Sequence, residues 1–145
     1  MSKSFKGRVI INGKLTGNAL VTHQGFNICA TYFRGITVKS PLCWDQNNKD
    51  LYQKTLNDKI LCLPKGIGST TGGMFLQCAA DNGIAPLAML YSEHVDSVSV
   101  AGIIISDVWN DKKIITVDEL GDEFLSMVQD GDKITIEEDG TVIVE

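Results

Sequence analysis

Residues 59–83, KILCLPKGIGSTTGGMFLQCAADNG, join an apolar run, a turn crowded with glycine and hydroxyl, and a run of helix formers. Lys59–Leu63 has the length and composition of a strand. Residues 71–82 read as a helix, closed by Asn82-Gly83 as its C-cap. A strand that turns directly into a helix aims backbone N–H groups and the positive end of the helix at whatever lies above the strand's C-terminal edge. The turn therefore has two readings: a plain N-cap, or a seat for an anion.

The flanks supply the rest of a mixed α/β domain. Residues 6–12 and 15–22 alternate like strands around Asn12-Gly13, a hairpin signal. Residues 26–38 are β-rich, with Ile28, Tyr32, Phe33, Ile36 and Val38. The polar stretch 40–50, holding Trp44, is a long loop. Beyond the turn come a strand at 85–91, a helix or buried strand at 98–105, and a strand at 114–117. Asp118 is placed to cap a helix carrying Leu120, Phe124, Leu125 and Val128. Residues 131–136 and 141–144 form a last hairpin around Asp139-Gly140. A β-rich half and a β-α-β-α-β half share one core, and residues 1–145 are read as a single domain.

Composition narrows the function classes. Thirteen Lys and Arg against eighteen Asp and Glu give a net charge of −5, and no basic stripe interleaves with aromatics, so a nucleic-acid partner is not expected. No apolar run approaches the ~20 residues of a membrane span. The N-terminus runs into alternating strand residues rather than a signal-peptide core, so a cytoplasmic location is expected. Cys29, Cys43, Cys62 and Cys78 form no CxxC pair, which argues against a self-contained metal or cluster site; Cys62 and Cys78 are read as core thiols. His94 is read as a surface residue, and Trp44 and Trp109 as packing or interface residues.

The turn misses the familiar phosphate and nucleophile signatures. No Lys follows Gly72, so there is no P-loop. Gly66-x-Gly68 is followed by three residues before Gly72, which breaks the dinucleotide fingerprint, and Ile67 two residues before Ser69 breaks GxSxG. What remains is Gly68, able to bend sharply, and three successive hydroxyls, Ser69, Thr70 and Thr71, beside a helix N-terminus.

The run Pro64-Lys-Gly-Ile-Gly-Ser-Thr-Thr-Gly-Gly73, a helix, and then Asn82-Gly-Ile-Ala-Pro-Leu-Ala-Met89 resembles the small subunit of the aconitase X family. Weaker matches are Gly17-Asn-Ala-Leu-Val21 and Asp130-Gly-Asp-Lys-Ile-Thr-Ile136. The resemblance implies the swivelling β/β/α domain of the aconitase type. It implies a hydro-lyase subunit whose separate large partner carries an iron–sulfur cluster and most of the pocket for a small carboxylate substrate. It gives Ser69 the role of general base, with Gly68, Thr70 and Thr71 as substrate contacts. Two enzymes of the family are cis-3-hydroxy-L-proline dehydratase and phosphomevalonate dehydratase.

The chain departs from the family pattern at Ile67, where Lys or Arg is usual, and upstream, where Asp45–Gln53 lacks a His-Pro pair. Lys65 is the substitute cation. Loss of charge at Ile67, and a Tyr91-Ser-Glu-His-Val-Asp96 run similar to that of the hydroxyproline enzymes, favour the amino-acid substrate, although Glu93 and Asp96 also suit helix capping. The alternatives are the phosphomevalonate enzyme and a non-catalytic assembly or regulatory partner of the same fold.

Overall fold

The computed structural model describes residues 2–67 and 71–145. β1 (Lys3–Lys6) and β2 (Arg8–Ile11) are separated only by Gly7, yet they stand at opposite ends of an eight-stranded sheet of order β1-β10-β9-β3-β5-β7-β8-β2. One stretch of chain thus pairs antiparallel with β10 (Thr141–Val144) through its first half and with β8 (Ile115–Asp118) through its second. The sheet closes on itself at that corner. Gly7 is required there, because a Cβ would overlap the Asp118 carbonyl and lie 2.6 Å from Val117 Cγ1.

This closure overturns the hairpin expected at Asn12-Gly13. β3 (Leu15–Val21) pairs with β9 (Lys133–Ile136) and β5 (Lys59–Leu63), and never with β2. Gly13 serves close approach rather than a turn: a Cβ there would sit 2.6 Å from Ile115 Cδ1. The hairpin at Asp139-Gly140 does form, with Gly140 at φ +92°.

Strands β3, β5, β7 (Ala88–Tyr91) and β8 run parallel, and the central pair, β5 and β7, is buried on both faces, which is why those two read as continuous apolar runs. Alternation divides them between two cores. Ile60, Cys62, Ala88 and Leu90 join Phe124, Ile134 and Val142 inside the closed sheet. Leu61, Leu63, Met89 and Tyr91 face outward onto the helices with Tyr32, Leu76 and Ile103. The result is the β/β/α layering expected.

Two further readings change, and the choice between helix and buried strand at 98–105 is decided for helix. Residues 26–38 hold only a two-residue strand, β4 (Phe26–Asn27), followed by α1 (Ile28–Val38). Ile28, Thr31, Tyr32 and Gly35 recur at helical spacing and are buried, so the apolar face, not β propensity, decided the element. Residues 97–109 are helix, α3 (Ser97–Trp109). Asp118 does not cap a helix: it ends β8, fully buried, and α4 (Asp122–Met127) begins after Gly121, whose φ is +94°. α2 (Gly72–Asp81) matches its expected bounds closely, with Asn82 as C-cap and Gly83 at φ +74°. Among the described residues no helix is long and apolar enough to cross a membrane.

Candidate active site

Beyond β5 the chain forms β6 (Gly66–Ile67), which pairs in parallel with β4, Phe26 opposite Gly66 and Asn27 opposite Ile67. The Phe26 N–H donates to the Lys65 carbonyl at 2.9 Å. β4 leads straight into α1, whose N-cap is Asn27: its Oδ1 accepts the Ala30 N–H at 3.0 Å. Asp96 caps α3 in the same manner, Oδ2 accepting the Ser99 N–H at 2.9 Å, while its Oδ1 accepts the Gly66 N–H at 2.8 Å. A segment thirty residues away in sequence is thereby tied to the start of α3.

The N-termini of the three helices meet. A Cβ on Gly72, the first residue of α2, would lie 2.9 Å from Val98 Cγ1 at the start of α3 and 3.6 Å from Ile28 Cβ at the start of α1. A Cβ on Gly102 would lie 2.5 Å from the Gly73 carbonyl oxygen, so α2 and α3 approach through glycine. Three positive helix ends therefore meet near one spot at the C-terminal edge of the parallel strands, with Asn27 and Asp96 each already taking one N–H group of its helix. That arrangement stabilises negative charge.

Of the residues singled out in the sequence, Gly68, Ser69 and Thr70 lie outside the described residues. Those on either side are placed. Lys65 is exposed beside the β4–β6 pair, and Thr71 is exposed at the head of α2, where its carbonyl accepts the Met74 and Phe75 N–H groups. Both border the junction of helix ends.

A cleft of about 670 Å³ adjoins it, walled by Asn27 of β4, by Ala30, Phe33 and Arg34 of α1 and by Trp44 and Tyr52 of the 39–58 segment. That segment is no loose excursion. Cys43 exchanges backbone hydrogen bonds with Lys54 and Gln53, the Trp44 N–H donates to Thr31, and Leu51 and Leu56 are fully buried. Sequence reading missed Arg34 because a strand over 26–38 hid its spacing from Asn27 and Ala30.

Residues 4–144 match the family model described as the aconitase X swivel domain. The chain belongs to that family. It is 29% identical over 134 residues to the phosphomevalonate dehydratase small subunit of Thermococcus sibiricus, covering 92% of this chain and 98% of that one. It is 30% identical over 137 residues to the protein of the same name from Methanocella arvoryzae, covering 94% and 93%. In three dimensions it is similar to the holo-form crystal structure of Thermococcus kodakaraensis aconitase X, with a TM-score of 0.81 at 26% identity over 99% of this chain and 98% of that one.

The two buried thiols of this swivel domain do not fit a metal cluster. The Cys43 thiol, raised by burial, points to Thr31 Oγ1, and that of Cys62, also pushed up by burial, points to the Ile60 carbonyl. Both are core groups. Cys78 is half-buried on α2, less enclosed than expected. His94, Asp118 and Glu119 do bring ligand atoms within 4.8 Å of one another. Both Asp118 oxygens are already taken, Oδ1 by Arg8 Nε at 3.0 Å and Oδ2 by Arg8 Nη2 and the Val95 N–H, each at 2.7 Å. A guanidinium stands where a cation would sit.

Proposed function

We propose that this chain is the small subunit of a two-chain dehydratase that removes water from a small hydroxylated acid, with the Ser69 hydroxyl, deprotonated, as general base. The observation that carries the reading is the meeting of three helix N-termini at Gly72 beside Asp96-tethered Gly66. A serine hydroxyl is far too weak an acid to lose its proton near neutrality without help. Backbone N–H groups and helix ends fixed in advance around the oxygen lower that cost. The alkoxide takes a proton from the carbon next to the one bearing the hydroxyl, and the electron pair left behind becomes the new double bond. The departing hydroxide becomes water by taking up a proton, the one on Ser69 being given up in turn to restore the alkoxide.

In this reading an iron–sulfur cluster belongs to a large partner chain, as the family resemblance implies. Exposed Phe33, Ile67 and Met74, at 64%, 48% and 58%, rim the junction and supply apolar surface for that partner. The names of the relatives favour phosphomevalonate over cis-3-hydroxy-L-proline.

The test is co-expression with the large subunit and assay of both acids. Dehydration by the pair and by neither chain alone is the expected result. A natively extracted chain that runs only as a monomer or self-oligomer contradicts the reading.

A further inference from the structure

The cleft beside α1 holds a cation, Arg34. The Arg34 guanidinium carbon stands 5.5 Å from the centre of the Trp44 ring and pairs with no carboxylate among the described residues. Stacking on an indole holds a guanidinium in place through its face while leaving the N–H fork along its edge available for a carboxylate or phosphate. In a chain of net charge −5 such a group is a receptor for an anion.

Its position gives it reach. Asn27, Ala30 and Arg34 follow one stripe of α1, so the cleft extends from the β4–β6 pair to the guanidinium over seven residues, roughly 10 Å of helix axis. Asn27, at the near end, is the register partner of Ile67.

We propose that Arg34, held over Trp44, binds the anionic tail of the substrate, a phosphate or carboxylate, and supplies the charge that Ile67 does not. The separation selects an elongated acyclic acid over a compact ring. This assignment rests on the dehydratase reading for its catalytic meaning, though not for the anion site itself.

Two measurements separate the claims. In the first, the ¹⁵N-labelled full chain, free and paired with its large subunit, is titrated with inorganic phosphate and with acetate. The Arg34 Nε–H and Trp44 indole N–H resonances should shift saturably, the more effective anion identifying the tail. The Trp44 shift should vanish in Arg34→Gln and weaken in Arg34→Lys, which keeps the charge without the fork. In the second, Arg34→Gln in the reconstituted pair should raise KM for phosphomevalonate roughly ten- to hundred-fold with a smaller change in kcat. Resonances that neither anion moves, or dehydration with KM unchanged in Arg34→Gln, overturn the assignment and leave the dehydratase reading standing. Saturable binding at Arg34 by a pair that dehydrates neither acid overturns the dehydratase reading and leaves the anion site.

Discussion

One carboxylate, that of Asp96, holds both the backbone N–H of Gly66 and that of Ser99. It fastens the segment leading to the candidate base onto the start of α3. Asp96→Ala removes a helix cap and orphans the Gly66 N–H, so a loss of about 2–4 kcal/mol is expected in chemical denaturation. Turnover of the reconstituted pair should fall as well, because the turn is no longer held. A variant that is destabilised yet turns over normally per folded molecule would show that the tether serves stability only.

The glycine contact between α2 and α3 sets how closely the helix ends converge. Gly102→Ala places a methyl against the Gly73 backbone, 2.5 Å from its oxygen and 3.0 Å from its Cα. Neither atom can turn aside, so about 1–3 kcal/mol of overpacking is expected, read as a lowered Tm. An unchanged Tm would mean that the helices separate freely.

At the opposite side of α3, Arg8 pairs with buried Asp118 and with Glu119, and His94 lies beside both carboxylates. Burial pushes the Asp118 carboxyl up, but hydrogen bonds from Arg8 and the Val95 N–H outweigh it and hold the group below its ordinary value. A carboxyl lowered by folding contributes stability at neutral pH that is lost as pH falls through its folded value. Arg8→Met should therefore lower the urea midpoint most near pH 7, the deficit shrinking below about pH 4 as Asp118 protonates in both proteins. A deficit independent of pH would assign Arg8's contribution to packing.

Apolar side chains around the junction are assigned to the partner, and those at the far end of α3 are not. Met74→Asp should leave the Tm of the isolated chain nearly unchanged while weakening its complex with the large subunit at least about tenfold, as burying an unpaired charge requires. Trp109→Asp, at a position 82% exposed, should leave that complex intact. The reverse pattern, by calorimetry of the two chains, would move the interface to the end of α3.

The parallel strands and α2 were legible because each was marked locally: apolar runs of strand length, Asn82-Gly83 as a stop, and glycine and hydroxyl between them. The Asn12-Gly13 signal misled because closure at Gly7 gave β2 a partner more than a hundred residues away, which no local pattern records. Residues 28–38 carried both a helical period and β-branched composition, and burial of Ile28, Thr31, Tyr32 and Gly35 decided between them. Arg34 was hidden with that helix. Asp96 was readable as a cap, but its second bond to Gly66 exists only in three dimensions.

The most direct test of the account is Ser69→Ala in the reconstituted two-chain enzyme, with turnover and Tm measured on one preparation. As general base, Ser69 should be worth roughly 10²–10⁴-fold in kcat. The Tm should scarcely move, since a turn hydroxyl contributes at most about 1 kcal/mol as a cap. A mutant that melts earlier and keeps full activity per folded molecule would contradict the assignment of Ser69 as the base.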